Sequence, residues 1–536
     1  MALPSSGAIS LSDVNVELGL SSTASISMND ATVRSLFAQQ GSNAVDINTG
    51  HGKYQNWVTT LNNTGYSTAS SDITVDSNGN IYTISNWANV AYNAYNAFVC
   101  KQNSDSSVAW IRSITQNATA IDPKKVIADS SGNVYACVSY GSNTCVIKFD
   151  SSGNTLWKKT YTVASPYDIF AYTNGSDISV FLPPVLRLDN NGVPVLGTVC
   201  ENSSNANGGS GTDARLVMIL RLSATDGSVT DKFFHRQTPT QVTNSSNACI
   251  VKPYEMLFDG SNNGYLFSTI IYPSYSGTVG GSNTFLNPTP DQAYRTLVTK
   301  FSTSGITSTT TLCNDPSTTP TGSSYYAIAA TISAAGDFYL VSGTYLHKYS
   351  SSYVAQWSKR LPSSTTNYTS VRVFNGKVVA TMLTTYGRKV HCFDESGNLL
   401  FKNKLVYTPP LSGSAGMSFS AYSSSLAIDQ LGNIYVPTNF KNTVNYPTDP
   451  NLYYGTSIVK ILSTDSRKVS TSILNGATLS YQTDTDAVGS SATPTASASV
   501  TVTTSASPTI TVSDATAITI GTSATGITPY TQALNY

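Results

Sequence analysis

The stretch ITVDSNGNIYTIS (residues 73–85), followed by AFVCKQNSDSSVAWIRS (97–113), sets the plan of the chain. It returns almost at once as VIADSSGNVYACVS (126–139) and TCVIKFDSSGNTLWKK (144–159). In both copies a strand runs into a tight Asp/Gly turn and a second strand carries a tyrosine. A third strand has a central lysine, and after another tight turn a fourth carries a tryptophan. Apolar and polar side chains alternate along these segments, the two-residue period of a strand with two distinct faces.

Each half of the unit can be followed along the chain. The first half recurs as VLRLDNNGVPVLG (185–197), EMLFDGSNNGYLFST (255–269), ATISAAGDFYLVS (330–342), VRVFNGKVVAT (371–381) and LAIDQLGNIYVP (426–437), seven with the two above. The second half recurs around Arg221, Lys300, Lys348, Cys392 and Lys460, which with Lys101 and Lys148 again makes seven. One four-stranded meander buries too little to stand alone, and its edges invite aggregation. Repeated about an axis, the meanders cover one another's faces and the ring closes; a linear solenoid is the competing arrangement. The expected fold is all-β, a seven-bladed β-propeller of four-stranded antiparallel blades over residues 54–478. A short N-terminal segment with short helices (1–53) and a Ser/Thr/Ala-rich C-terminal β extension (479–536) flank it. A further tryptophan strand, Tyr54-Gln55-Asn56-Trp57-Val58, reads as the fourth strand of a repeat and suits the last blade. Lys468–Leu474 is a second candidate for that place.

Composition agrees. Only 11% of residues are charged, and Glu17, Glu201, Glu255 and Glu395 are the only glutamates. Helix formers are scarce, while Ser, Thr, Val, Ile and Tyr suit strands and turns. Thirty basic and thirty acidic residues cancel, so no global field draws in nucleic acid or an anionic membrane. No run approaches the roughly 18 apolar residues of a membrane span. Met1-Ala-Leu-Pro-Ser-Ser-Gly lacks the basic start and apolar core of a secretory signal, so synthesis in a cytoplasm is expected. The seven cysteines (100, 137, 145, 200, 249, 313, 392) are scattered and odd in number. They are expected to be buried free thiols, although Cys137 and Cys145 flank one hairpin.

Motifs for chemistry are mostly absent. Turns such as Asp76–Asn80 look at first like calcium loops, but the twelfth position is Trp87, not the bidentate glutamate such a loop requires. Asp, Asn and Gly are what a short hairpin demands. Of the four histidines (51, 235, 347, 391), His347 and His391 hold equivalent repeat positions, which a ring could carry toward one axis. Two such ligands without carboxylate partners do not make a metal site. No nucleophile elbow, phosphate loop, His-Glu-x-x-His or paired Cys-x-x-Cys occurs, so no catalytic residue, metal or cofactor is expected. Sugar hydrolysis needs two facing carboxyls, which only the fold could bring together.

Connections between strands one and two, and between three and four, are tight. Those between two and three, and between units, include all the long ones: 86–97, 201–214, 272–294, 407–422 and 437–455. One face of a ring is therefore trimmed and the other carries insertions, where binding usually lives. Trp87, Tyr92, Tyr95, Tyr272, Tyr275, Phe285, Tyr446, Tyr453 and Tyr454 fall in these insertions among Asn, Ser and Gly. That mixture is shared with antibody-like paratopes. These nine are the candidate binding residues, for a glycan or a protein; the alternative is that the rings pack the loops onto the ring.

The ends differ from the repeats. Ser10–Gly19 reads as a short helix capped by Ser12 and stopped by Gly19, and Asn29–Phe37 as a second capped by Asn29. Neither is long enough to stand alone, so Leu11, Val14, Val16, Leu18, Val33, Leu36 and Phe37 are expected to anchor the segment on something else. In the C-terminal extension, Ala498–Thr504, Thr509–Asp514 and Ala517–Thr522 alternate apolar and hydroxyl residues. Pairing with the N-terminal segment or with neighbouring subunits is expected there, in preference to a disordered linker.

Two resemblances add to this reading. The Asp-x-x-Gly-Asn-x-Tyr units are similar to the propeller repeats of bacterial and viral surface proteins, over residues 54–475, which implies the fold and little else. ALPSSGAISLSDVNVELG (2–19), followed by ISMNDATVRSLF (26–37), resembles the N-terminal module of many tailed-phage virion proteins. There ISLxDVNxELG and LNxxxVRxLF recur in this order, often before GYGK; here the last is Gly50-His51-Gly52-Lys53. That module usually heads neck, tail or fibre components, which implies attachment to the virion, in multiple copies or as a homo-oligomer, with other virion structural proteins as partners. The expected function is a non-enzymatic tail or neck appendage or fibre that presents a propeller to a host-surface glycan or protein, or to another virion protein. A virion-borne polysaccharide-degrading enzyme and a purely architectural neck or tail subunit are the alternatives.

Overall fold

The computed structural model describes residues 3, 8–18, 20–37, 45, 57–63, 66–89, 95–116, 120–141, 143–164, 167–169, 184–202, 215–237, 250–271, 275–279, 282–286, 294–313, 327–360, 367–384, 387–408, 425–440, 455–462, 469–472, 478–484, 488–491, 497–499, 502–503, 509–522 and 527–533. Its sheets are seven four-stranded antiparallel meanders. From inner to outer strand, blade 1 is Tyr66–Val75, Ile81–Asn89, Tyr95–Gln102 and Val108–Thr115, and blade 2 is Asp122–Ala128, Val134–Tyr140, Asn143–Phe149 and Thr155–Val163. Blade 3 is Val185–Leu188, Pro194–Asn202, Arg215–Leu222 and Val229–Gln237; blade 4 is Ile250–Phe258, Gly264–Ile271, Tyr294–Ser302 and Gly305–Cys313. Blade 5 is Ala327–Ile332, Phe338–Ser342, Tyr345–Tyr349 and Ala355–Arg360; blade 6 is Asn367–Phe374, Lys377–Thr384, Gly387–Asp394 and Leu399–Thr408. Blade 7 takes Ala427–Ile428, Asn433–Phe440 and Gly455–Leu462 from the end of the repeats and Trp57–Asn63 from before the first. The protein is a seven-bladed β-propeller.

Seven apolar layers separate the seven blades, because alternate residues of each strand face opposite neighbours. Val99 lies in the layer between blades 1 and 2, whereas Phe98 and Cys100 lie in that between blades 7 and 1. The other layers follow in turn around the ring. Cys137 and Cys145 are separated by the same rule, one in the layer toward blade 3 and the other in that toward blade 1. Both thiols are buried and free, and burial pushes the Cys137 thiol up to about 12.

The repeated Asp, Tyr, Lys and Trp now have physical roles. At Asp76, Oδ1 accepts the backbone N–H groups of Asn78 and Asn80, while Oδ2 accepts Asn80 Nδ2 and the Tyr82 hydroxyl, each at 2.9 Å. Asp259 and Asp429 repeat the full set. These carboxylates are occupied by their own turns, as a hairpin requires. Lysine and tryptophan join blades. Lys101 Nζ and Trp110 Nε1 both donate to the carbonyl of Ser151, in the last turn of blade 2, at 3.0 and 3.1 Å. Lys148 and Trp157 do the same to Ala224 of blade 3, and Lys348 and Trp357 to Glu395 of blade 6. Each lysine also lies over a tyrosine ring of its own blade, 5.0–5.6 Å from the centroid, a favourable placement of a cation on a π face.

The same register explains how the ring closes. Lys101 pairs with Trp110, Lys148 with Trp157 and Lys348 with Trp357. Lys460 of blade 7 pairs with Trp57. The tryptophan strand ahead of the repeats is thus the fourth strand of the last blade. The other candidate forms Val469–Ser472, which lies instead on the outside of blade 6.

The C-terminal extension corrects the expectation made for it. Among the described residues it pairs with the ring itself: it adds a strand to the outer edge of every blade, antiparallel to the fourth. Thr478–Thr483 covers blade 6, Gly489–Ser491 blade 5, Ser497–Ser499 blade 4 and Val502–Thr503 blade 3. Ile510–Asp514 covers blade 2, Thr519–Gly521 blade 1, and Ile527–Ala533 pairs with Trp57–Asn63 in blade 7. The fourth strand of each blade otherwise ends in unpaired N–H and C=O groups, and a chain advancing about one strand per blade satisfies them. This belt runs against the order of the blades.

Glycines in the joining turns answer to the tryptophans of the preceding blade. Gly227 has φ +74 and a Cβ there would meet the Trp157 ring at 2.8 Å; Gly192 has φ +77 with nothing within 4 Å. Gly192→Ala should therefore lose about 1 kcal/mol from backbone conformation alone. Gly227→Ala should lose about 1–3 kcal/mol more from overpacking, read as the difference between the two denaturant midpoints.

Candidate functional site

Ring topology gives the two faces different character. Turns between first and second, and third and fourth, strands are tight throughout, for example Asp76–Asn80, Asp129–Asn133 and Asp150–Asn154. The connections on the opposite face include the long ones. Trp57–Asn63, as a fourth strand, starts at the tight-turn rim and ends at the long-loop rim, where Asn63 pairs with Tyr66 of blade 1. Ala533 lies opposite Trp57. The N-terminal segment therefore joins the ring at the tight-turn rim, and the belt finishes beside it.

The nine aromatic residues fall out unevenly. Trp87 lies within the second strand of blade 1, which extends further than expected, and its ring is buried in the layer between blades 7 and 1. Tyr95 starts the third strand of that blade opposite Ala88. Tyr275 and Phe285 sit on a separate two-stranded hairpin, Tyr275–Val279 with Ser282–Leu286, inserted between the second and third strands of blade 4. In that hairpin Tyr275 is paired with Leu286 and Phe285 with Ser276. Tyr92, Tyr272, Tyr446, Tyr453 and Tyr454 lie outside the described residues.

The N-terminal segment forms its own small core. Helix α1 is Leu11–Glu17 and α2 is Ala31–Leu36. Val14, Leu18, Val33, Leu36 and Phe37 pack together with Leu3, whereas Leu11 and Val16 are exposed, at 52% and 41%. The cap of α1 is Ser10, not Ser12: its hydroxyl accepts from the Asp13 N–H while Asp13 accepts from the Ser10 N–H, a reciprocal capping box. Helix α2 starts after Asp30, not Asn29; the Asp30 carbonyl accepts from Arg34 and its carboxylate from the Ser27 N–H.

The histidines do not meet at the axis. His347 and His391 lie on third strands, His347 Nδ1 within 2.7 Å of Ser358 Oγ and His391 Nε2 within 3.0 Å of Asp484 Oδ2. His235, on the fourth strand of blade 3, contacts Thr299 of blade 4 at 2.9 Å, and burial lowers its pKa to about 4. His51 lies outside the described residues.

What the inner strands do bring together is charge. Glu255 of blade 4 receives Arg187 of blade 3 at 2.6 Å and Arg372 of blade 6 at 3.4 Å. Blades 4 and 6 are not neighbours in the ring, so Arg372 reaches past blade 5 to meet Glu255. Asp72 of blade 1 lies 3.8 Å from Lys125 of blade 2 and accepts the Val126 N–H at 3.0 Å. Burial alone would raise the Glu255 pKa, but Arg187, Arg372 and Lys125 outweigh it and hold the carboxyl at about 2. Held as a carboxylate, Glu255 is unsuited to the proton-donor role in sugar hydrolysis. The sequence signal for this group was one of four glutamates, at a repeat position that is Asp72 in blade 1, Lys125 in blade 2, Ala329 in blade 5 and Ser370 in blade 6.

Models of protein families give no match to this sequence, and curated proteins give none. Among solved structures the chain is similar to a protein of unknown function from Bacteroides caccae, at 8% identity over 65% of this chain and 93% of that one, with a TM-score of 0.32. It is similar to the acylaminoacyl peptidase of Pyrococcus horikoshii at 9% identity and TM-score 0.36, over 70% of this chain and 49% of that one, so it spans about half that enzyme's length. The β-propeller domain of the Trilobed protease from Pyrococcus furiosus, described as having an open velcro topology, matches at 9% identity and TM-score 0.35, over 72% of this chain and 97% of that one.

Glu255→Gln should leave Arg187 and Arg372 without their counter-charge and destabilise the protein by about 3–5 kcal/mol. Because the folded-state pKa is depressed, the contribution of Glu255 is complete above its ordinary value of 4.5 and fades as pH falls toward about 2. Acid titration of stability should accordingly show a shallower loss across that window in Glu255→Gln than in the parent.

Proposed function

We propose that this chain is a non-enzymatic structural component of a tailed-phage virion, attached through its N-terminal segment. Its propeller displays the long-loop face to a host-surface glycan or protein, or to a neighbouring virion protein. The observation that carries the reading is the polarity of the ring: the N-terminal segment joins at the tight-turn rim, opposite the long connections. A body held at one rim presents the other. The density of the ISLSDVNVELG and ISMNDATVRSLF motifs supports the segment as the attachment module. Its apolar residues divide in a way that suits docking, with five closing a private core and Leu11 and Val16 left for a partner. In blade 4 the inserted hairpin extends the long-loop side by two strands. An isolated two-stranded hairpin gains stability by packing on something, which fits a contact surface.

Removal of residues 1–53 should leave a folded ring with a melting temperature close to the parent's, while incorporation into particles falls to background. Leu11→Ser with Val16→Ser should reproduce the loss of incorporation without changing the fold. Normal incorporation of the truncated protein, measured by immunoblot of purified particles, would refute the attachment role.

A further inference from the structure

We propose that the C-terminal belt is the lock on ring closure, and that its last strand holds the seam only in a chain whose other six blades are already in place. The seam is the one place where the ring is closed by strands far apart in sequence. There Trp57–Leu61 pairs with Gly455–Leu462 over five residue pairs. Without the belt it would be an outermost strand with a free edge, the position from which strands fray most readily. Ile527–Ala533 adds seven pairs on its other side and converts it into an interior strand.

The route of the belt supplies the dependence on the other blades. After the third strand of blade 7 the chain passes to blade 6, then to 5, 4, 3, 2 and 1, and reaches blade 7 last. It is pinned on the way by side chains as well as by ladders. In blade 6, Asp484 is buried and accepts Lys389 at 3.1 Å and His391 at 3.0 Å. Val488 packs against the layer between blades 5 and 6. At blade 2, Lys159 pairs with Asp514 at 2.6 Å and Lys158 donates to the Ile518 carbonyl. Ala515 and Ile518 are buried in the layer between blades 1 and 2, so the belt also completes that core. The central part is held lightly, by three, three and two residues on blades 5, 4 and 3. A belt gripped at blades 6, 2 and 7 and barely elsewhere is arranged to span the ring, and a missing or unfolded blade would leave its last strand off the seam.

The test uses the full chain with a protease site inserted between Thr522 and Ile527. After cleavage and removal of the released segment, hydrogen exchange is followed at Trp57–Leu61 and, as internal reference, at Val195–Thr198 in blade 3. Exchange at the seam should rise at least about tenfold while blade 3 stays within about twofold, and a synthetic peptide of residues 527–536 should restore protection. Alternate N–H groups of Ile527–Ala533 face Trp57–Asn63, so one of Thr531→Pro and Gln532→Pro removes a ladder bond and the other does not. Loss of seam protection in one of the two is the expected result. Unchanged seam exchange after release, or equal loosening of both regions, would overturn the proposal, as would two proline variants that behave alike.

Discussion

Two donors from one blade, a lysine ammonium and a tryptophan indole, meet a single backbone carbonyl in the last turn of the next blade. Apolar layers between the blades supply area but no direction, since hydrophobic contact fixes neither the angle nor the height of one sheet on another. A charge-assisted bond and an indole bond to the same oxygen fix both. The contact recurs from blade 1 to 2, from 2 to 3 and from 5 to 6. Between blades 3 and 4 the polar contacts are of other kinds, His235 with Thr299 and Arg187 with Glu255. The tyrosine beneath the lysine, the aspartate that fixes the turn and the glycine that admits the indole all follow from keeping that carbonyl in reach.

This is why so much of the ring was readable in the sequence. The Lys-to-Trp spacing is a register, and a register survives even where blade 7 is split between Lys460 and Trp57. The sequence left Trp57 and Lys468–Leu474 both open for the fourth place, and the ladder from Trp57 to Lys460 decides for Trp57. Other features left fainter marks. Belt strands of two or three residues, such as Val502–Thr503, have no periodicity long enough to read, and their partners lie hundreds of residues away. The nearness of Arg372 to Glu255 depends on the ring bringing together strands of blades that are not neighbours, which is not visible locally. Ser10 and Ser12 both lie at the start of the first helix, and the acidic residue three positions after Ser10 was the distinguishing sign. Trp87 shows the opposite error, a strand residue mistaken for a loop residue because its hairpin continues in paired register beyond the repeat pattern, Trp87 lying opposite Thr68 and Asn96.

The fourth strand of each blade would present a long outer edge. The belt covers it on all seven blades and puts mostly shorter strands in its place, and short edge strands discourage strand-to-strand association between copies. The two rims differ in what they carry. One receives the N-terminal segment and the other carries the insertions.

The placement of Trp57–Asn63 between two antiparallel neighbours has a mechanical consequence. Ladder bonds lie perpendicular to the strands they join. A pull arriving along the strand at Trp57 therefore strains five pairs on one flank and seven on the other together, in shear, and cannot open them singly as a zipper. A tether spliced into the interior of a sheet passes tension into the whole ring. One spliced at an edge would tear.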